Sequence, residues 1–302
     1  MNFRQLQYAV LLSQQLNFSQ VAEQLGISQP ALSKQIIALE QEAGVRLFDR
    51  STVPLSLTAA GERFIEDAKE LLFREDQLKR SMEEFKSGEK GRLKIGVSPF
   101  RCQYLMGPIV KQLRERFPNL QVVLHEAGSA QLHKGAVEGQ FDFAIVNLPV
   151  DEALLDVIKL SPEQLVLAVP NELTYLIDNT RHVSGDPYAT VDLADCEKLP
   201  FIVLSKQQEL RQLFDKLCVT AGLRSEITAE VVGISTAWNM ARSGVGATVL
   251  PLPFLQKEQL DNRLTYYSLN QTSSMRQPAV IVRKNQYVSE YARYAIELLK
   301  NI

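Results

Sequence analysis

Apolar residues recur at helical spacing in two neighbouring stretches between Phe18 and Leu39. Their inward positions are Val21, Ala22 and Leu25 in the first stretch and Leu32, Ile36 and Leu39 in the second. Gly26 separates them, and glycine readily takes the left-handed conformation that a tight turn between helices requires. With Ser19 and Ser28 as caps and Pro30 in the first turn of the second helix, the pattern predicts a helix, a sharp turn and a second helix.

The second predicted helix carries an outward face at its start, formed by Gln29, Pro30, Ser33 and Lys34. Amide, hydroxyl and ammonium groups at a helix N-terminus can read base edges in a major groove and hold phosphates. Gln29 suits adenine, whereas Lys34 suits either a phosphate or guanine. An ordinary helical hairpin with a solvated face has the same pattern, so this segment alone leaves both interpretations open.

Short elements flank this hairpin. Phe3 to Gln14 has the pattern of an amphipathic helix that completes a three-helix core, and the run DRSTVPLSL from Asp49 to Leu57 is typical of a β-hairpin or wing. A wing would bring Arg50 to a DNA phosphate or minor groove, while a plain surface loop would leave it solvated. Thr58 suits the cap of the next helix.

A long helix is predicted from about Ala59 to Lys86. Its apolar positions follow a spacing of four and three, and they are Phe64, Ala68, Leu71, Leu78, Met82 and Phe85. A narrow seam of this kind, with charged residues elsewhere, favours pairing with a second helix over burial in a globular core. The alternative is an exposed helix packed on its own domain.

After the polar break SGEKGR at 87–92, strand-like runs alternate with helical stretches. The predicted strands cover 93–97, 120–126, 141–147, 164–169, 201–205, 226–232, 246–251 and 278–284. The predicted helices cover 103–117, 130–138, 208–221, 235–243 and 288–299. This alternation predicts parallel α/β sheets in two subdomains, the last helix returning to the first.

One strand end suggests a ligand. In LKIGVSPFRCQYL the strand ends at Val97, Ser98 lies in the turn, and the helix that begins near Phe100 offers free N–H groups to an anion beside Arg101. A carboxylate is therefore the expected ligand, although Ser98 as a simple helix cap is the alternative. Cys102 in the same turn is either a reactive thiol or a small packing residue.

Composition limits the function. The net charge of the chain is −2, and the first 60 residues contain four basic and four acidic side chains, so any DNA affinity depends on local geometry and on a second subunit. Three cysteines without metal-ligand spacing predict neither a disulfide framework nor a metal site, and no cofactor is expected. Glutamines interrupt the apolar residues near the N-terminus, so we expect no secretory signal and a cytoplasmic location.

The motifs together resemble the LysR-type transcriptional regulators of bacteria. The resemblance is carried by FSQVAEQLGISQPALSKQIIALEQEAGVRLFDR and LSLTAAG, and later by LRERFPNLQVVLHEAG, VEGQFDFAIV and ARSGVGATVLP. It implies a winged helix-turn-helix domain over 1–58, a dimerisation helix over 59–88 and an effector domain over 92–302. That effector domain would resemble a periplasmic binding protein, with subdomain I at about 92–163 and 268–302 and subdomain II at about 164–267.

The resemblance also implies sites and partners. The DNA-binding residues would be Gln29, Pro30, Ser33, Lys34, Arg50 and Thr58. The effector-binding residues would be Ser98, Phe100, Arg101, Gly128, Ser129, Asn147, Ser205, Gly233, Ile234 and Ser235. The implied partners are double-stranded DNA with an inverted repeat, a small inducer, further copies of the chain in a dimer or tetramer, and RNA polymerase.

Two departures from the family pattern concern the connections. Ala43 and Gly44 stand where leucine and glycine are common, and residues 171–191 form a longer loop without the usual histidine and proline.

The resemblance implies a regulator that is not an enzyme, and two other functions are alternatives to it. An α/β enzyme is disfavoured because GxSxG and a glycine-rich phosphate loop are absent from the sequence, and a solute-binding protein is disfavoured by the N-terminal helices.

Overall fold

The computed structural model describes residues 1–51, 54–84, 91–257, 261–270 and 274–301. The chain forms two compact units, Met1–Ser87 and Gly88–Ile302. Across the described residues, no helix is long and apolar enough to span a membrane.

The first unit begins with three helices, which are α1 (Phe3–Gln15), α2 (Phe18–Leu25) and α3 (Gln29–Ala43). Their apolar faces share one core with Leu47 and Phe48. Gly26 ends α2 with a φ of 65°, which confirms the predicted glycine turn. The cap of α2 is Asn17 rather than Ser19, because the Asn17 side chain accepts hydrogen bonds from the backbone N–H groups of Ser19 and Gln20.

The predicted wing is present as a short antiparallel pair. Strand β1 (Phe48–Asp49) pairs with β2 (Ser56–Leu57), and the chain then enters α4 (Ala59–Glu84). The Thr58 hydroxyl accepts a hydrogen bond from the Gly61 N–H at 2.9 Å, so Thr58 caps α4 as the sequence predicts.

Only some of the apolar side chains in the predicted seam of α4 are exposed to solvent in a single chain. Ala68 is 2 % exposed, so it packs within its own chain instead of facing a partner, and Phe64 is half-buried against the core of the first unit. Leu71, Leu78 and Met82 are 46, 62 and 49 % exposed. Phe85 lies outside the described residues.

The first sheet of the second unit has the strand order β4-β3-β5-β14-β6. Its strands are β3 (Arg92–Val97), β4 (Gln121–Glu126), β5 (Phe143–Asn147), β6 (Leu155–Lys159) and β14 (Pro278–Arg283). Its helices are α5 (Pro99–Arg101), which continues through a π-helical turn (Cys102–Met106) into α6 (Gly107–Arg116), then α7 (Ser129–Val137) and α11 (Glu290–Lys300).

The second sheet has the order β11-β7-β12-β8, and β13 also pairs with β7. A parallel pair, β9 with β10, adjoins this sheet through a bridge between Phe201 and Ala247. The strands are β7 (Glu163–Pro170), β8 (Ala189–Val191), β9 (Pro200–Leu204), β10 (Glu226–Val231), β11 (Thr248–Pro251), β12 (Leu264–Leu269) and β13 (Met275–Arg276). The helices are α8 (Glu209–Ala221), α9 (Ile234–Arg242) and α10 (Leu252–Lys257), with 3-10 turns at Asn171–Leu176 and Leu193–Cys196.

Each predicted strand and helix of this unit is present within a few residues, but the sheets are mixed rather than parallel. Strand β14 runs antiparallel to β5 and β6, and β7 runs antiparallel to β11 and β12. Strand β14 follows the strands of the second sheet in sequence but lies in the first sheet. The apolar residues of α11 pack into the core beneath that first sheet. The two sheets therefore belong to two subdomains, and the chain passes from one subdomain to the other more than once.

Candidate functional site

The start of α3 presents the predicted polar face. Gln29, Pro30 and Lys34 are exposed and Ser33 is half-buried, while Leu32 and Ile36 on the opposite side are fully buried. Ser28 fixes this helix start, because its hydroxyl accepts a hydrogen bond from the Ala31 N–H at 3.3 Å. The four side chains therefore stand on a rigid element and remain accessible for contacts.

Arg50 is held by other side chains of the first unit. Its guanidinium donates a hydrogen bond to Glu40 at 3.0 Å and lies 5.5 Å from the centre of the Phe18 ring. Glu40 also accepts hydrogen bonds from the backbone N–H groups of Leu47 and Phe48, at 2.8 and 3.1 Å. Glu40, which the sequence analysis did not assign to the site, thus links α3 to the wing and orients Arg50.

The Thr58 hydroxyl forms hydrogen bonds within the protein. It donates to the carbonyl of Arg46 at 2.7 Å and accepts from the Gly61 N–H. Thr58 therefore supports the junction of wing and α4, and its hydroxyl proton already has an acceptor within the protein.

A cavity of about 250 Å³ lies between the two sheets of the second unit. Nine of the ten predicted effector residues line it: Ser98, Phe100, Arg101, Gly128, Ser129, Asn147, Gly233, Ile234 and Ser235. Ser205 does not, because its N–H donates to the Val231 carbonyl at 2.8 Å and the chain turns there, so Leu204 and Gln208 line the wall instead. None of residues 171–191 lines this cavity.

Arg101 is not a solvated side chain beside an anion site. It is 2 % exposed, and its Nε and one terminal nitrogen donate to Glu163 at 3.3 and 2.9 Å. The same terminal nitrogen donates to the Asn147 side-chain oxygen at 2.6 Å. Its charge is therefore already neutralised by a buried carboxylate, and no local sequence pattern points to Glu163.

Two further side chains, Tyr104 and Arg276, contact the Glu163 carboxylate. The Tyr104 hydroxyl donates to it at 3.0 Å, and burial together with this carboxylate holds the pKa of Tyr104 well above its ordinary value, so the phenol stays protonated. Arg276 lies 3.4 Å from Glu163 and is 7 % exposed. Burial and the charge of Arg101 lower the pKa of Arg276 from 12.5, which reflects the cost of two guanidinium groups in one buried site.

The Ser98 hydroxyl accepts a hydrogen bond from the Arg101 N–H at 3.3 Å, so Ser98 is a helix cap as well as a cavity residue. Cys102 follows, and burial together with Glu126 raises the pKa of its thiol to about 11. The thiol is therefore protonated at neutral pH, which opposes the reactive alternative and favours packing.

Three hydrogen bonds between lining residues cross the cavity from one subdomain to the other. The Glu209 carboxylate, at the start of α8, accepts from Ser129 at 3.0 Å and from Asn147 at 2.7 Å. The Ser235 hydroxyl donates to the Gln103 side chain at 3.2 Å. The cleft is thus bridged by the protein's own side chains.

The chain matches two family descriptions. Residues 3–62 match "Bacterial regulatory helix-turn-helix protein, lysR family", and residues 86–301 match "LysR substrate binding domain". A Bacillus subtilis (strain 168) protein named "Uncharacterized HTH-type transcriptional regulator YcgK" is 31 % identical over an alignment of 306 residues, which covers 99 % of this chain and 94 % of that protein.

Two solved structures have a similar fold over the whole chain. A full-length OxyR variant from Pseudomonas aeruginosa superposes with a TM-score of 0.68 at 24 % identity, covering 100 % of this chain and 94 % of that one. Full-length CbnR in complex with its target DNA superposes with a TM-score of 0.62 at 20 % identity, covering 100 % and 99 %. At these identities the two structures establish the fold.

Proposed function

The chain belongs to the LysR family of DNA-binding transcriptional regulators and is not an enzyme, and we propose that its regulation depends on a small carboxylate bound in the cavity between the two subdomains. Regulators of this family bind DNA and small-molecule effectors and form oligomers. What is specific to this chain is which residues make those contacts and which chemical class of inducer fits.

We assign DNA contact to the face formed by Gln29, Pro30, Ser33 and Lys34, with Arg50 at the wing and Thr58 near the backbone. The accessible polar start of α3, fixed by the Ser28 cap, supports this assignment. The CbnR structure contains target DNA, and a similar winged domain in this chain would place the start of α3 in a major groove. Two copies would read an inverted repeat whose half-sites lie about one helical turn apart.

The observation that carries the inducer proposal is an unpartnered donor on a residue that lines the cavity. Arg276 Nε is buried and has no hydrogen-bond partner among the described residues, and Arg276 lines the cavity. A buried donor without an acceptor is costly, so a ligand oxygen placed there would be stabilised. Apolar side chains such as Phe100 and Ile234 line the same space, which suits a ligand with an apolar body.

The switching mechanism follows from linkage. A carboxylate that binds the closed cleft better than the open one shifts the population between them, and the shift reaches DNA through the paired linker helices. We propose a dimer that assembles further into a tetramer, acts in the cytoplasm, and contacts RNA polymerase when bound at a promoter.

The test is a fluorescence-anisotropy titration of the purified protein against its own upstream DNA and a random duplex, at two salt concentrations. We expect a preference for the upstream DNA that a set of small carboxylates shifts. Ser33→Ala with Lys34→Ala should remove the preference and leave the oligomer intact, whereas Gln41→Ala, at the far end of α3, should keep it. No preference over the random duplex, with or without carboxylates, would contradict the proposal.

A further inference from the structure

Glu209 reaches across the cavity to a position that suits a ligand. It stands at the start of α8 in the second subdomain, while its two hydrogen-bond donors belong to the first subdomain. Ser129 begins α7 and Asn147 ends β5, and both donate to the same oxygen, Glu209 Oε2, at 3.0 and 2.7 Å. A carboxylate of the protein thus holds the two subdomains together.

The surroundings of this oxygen are those of an anion site. Helix α7 has nine residues and its cap residue, Gly128, has no side chain, so the positive end of the helix is not satisfied by a local cap. Asn147 is additionally held by Arg101, which fixes its amide so that the nitrogen points to the carboxylate. This arrangement recognises a carboxylate by two hydrogen bonds and a helix end.

Charge balance gives a second, independent reason. Arg101 and Arg276 contribute two positive charges to this buried cluster, and Glu163 and Glu209 contribute two negative charges. Arg276 is 7 % exposed, lines the cavity, and has no hydrogen-bond partner for Nε among the described residues. If the Glu209 side chain moved out to solvent, one positive charge would be left uncompensated, and it would attract one anionic group.

On the premise that this cavity is the inducer site, we propose that Glu209 is a built-in competitor of the inducer. Its carboxylate occupies the place that the inducer's single carboxylate takes between Ser129, Asn147 and Arg276. The inducer is then a small monocarboxylate, because a second negative charge would exceed the one charge that Glu209 leaves behind. When the inducer binds, its carboxylate replaces that of Glu209, so contacts through the ligand replace the hydrogen bonds by which Glu209 links the two subdomains. This replacement is the switching event.

The experiment removes the Glu209 carboxylate by mutation and supplies acetate in solution in its place. In Glu209→Ala the side chain is shortened to a methyl group, and acetate is titrated into the full-length protein at constant ionic strength. The fluorescence of Trp238 reports binding, since it is the chain's one tryptophan and lies in α9, whose first residues line the cavity. We expect acetate to bind Glu209→Ala roughly 10- to 100-fold more tightly than the unaltered protein, as hydrogen bonds to a charged group would give.

Matched variants separate this effect from general damage. Glu230→Ala also removes a carboxylate paired with a buried arginine, Arg211, but outside the cavity, and it should keep the weak acetate affinity of the unaltered protein. Glu209→Gln preserves the shape and should bind acetate with intermediate affinity. Methylammonium, which has the opposite charge, should bind none of these proteins more tightly.

Equal acetate affinity of Glu209→Ala and the unaltered protein would overturn the proposal, and so would an equal gain in Glu230→Ala. Tighter binding of succinate than of acetate to Glu209→Ala would overturn the assignment to a monocarboxylate. Failure of the proposed function would be seen elsewhere, as a loss of preference for the upstream DNA in the anisotropy titration. The two failures are therefore distinguishable in the same preparations.

Discussion

The carboxylate of Glu40, in α3, pairs with the guanidinium of Arg50, in the wing, at 3.0 Å. The Glu40 side chain is only 11 % exposed and also accepts the N–H groups of Leu47 and Phe48. One side chain therefore sets the position of the wing relative to the helix that carries the proposed base contacts. A buried acceptor with three donors contributes more than a surface ion pair.

Replacing Glu40 by alanine should destabilise the first unit by about 2–3 kcal/mol, because two backbone donors lose their acceptor. DNA affinity should fall with it, since Arg50 loses its fixed orientation. Urea unfolding and anisotropy measure the two effects. Glu23→Ala removes an exposed carboxylate from α2 and should change stability by less than about 0.5 kcal/mol. If the two variants were equally stable, the clamping role of Glu40 would be wrong.

The sequence predicts this part of the molecule well because its signals are local. The turn at Gly26, the Ser28 cap and the apolar repeat of α3 each involve residues within one helical turn. The sequence predicts Ser19 as the cap that Asn17 provides, because the side chains of both residue types accept hydrogen bonds from the N–H groups of a helix start. Such an error shifts a helix boundary and leaves the face of the helix unchanged.

The cavity is predicted only in part, and the reason is sequence distance. A strand end identifies Ser98, and the resemblance to the family adds Ser129 and Asn147, which also lie at element ends, where ligands of α/β folds bind. The carboxylates that determine its charge are 62 residues from their partners, both for Glu163 with Arg101 and for Glu209 with Asn147. No periodicity links such pairs. The alternation of strands and helices likewise predicts a parallel β14, which is antiparallel in the structure, because alternation says nothing about the direction of a strand that joins the sheet late in the chain.

Glu163 is expected to be essential for the stability of the second unit. Glu163→Gln would remove the carboxylate that pairs with the buried guanidinium groups of Arg101 and Arg276, and the loss of such a buried pair typically costs about 3–5 kcal/mol. Urea unfolding followed through Trp238 measures this loss. Glu138→Gln, which removes a surface pair with Lys134 at 4.0 Å, should cost less than about 0.5 kcal/mol. A loss below about 1 kcal/mol for Glu163→Gln would contradict the importance of the buried pair.

Cys102 should react slowly with alkylating agents at pH 7.5. Its pKa of about 11, against an ordinary 9.0, reduces the thiolate fraction roughly 100-fold. Iodoacetamide labelling of the folded protein, with Cys102→Ser to assign the site and urea-unfolded protein as reference, tests this. Labelling of folded Cys102 at the rate of the unfolded thiol would restore the reactive interpretation.

The same shifts predict how stability depends on alkaline pH. Burial raises the pKa of Cys196 to about 12 and of Cys218 to about 11. The unfolded chain therefore releases these protons first as pH rises above 9.0, so the free energy of unfolding falls between about pH 9 and 12 and is unaffected by these thiols below that range. Urea midpoints at pH 8 and pH 10 should differ less in a Cys196→Ala, Cys218→Ala variant. An equal difference would exclude the thiols as its cause.

Leu78 gives the sharpest test of the dimerisation helix. It is 62 % exposed in the single chain and lies seven residues after Leu71 and four before Met82, which is the spacing of a coiled-coil seam. Leu78→Glu would place a charge from each chain in the paired seam, so we expect light scattering to show a lower mass and anisotropy to show a loss of DNA affinity. Leu154→Glu changes a leucine of the second unit that is 52 % exposed and should alter neither the mass nor the DNA affinity. An unchanged mass for Leu78→Glu would mean that α4 does not pair through this face, and the exposed apolar residues would then require another partner.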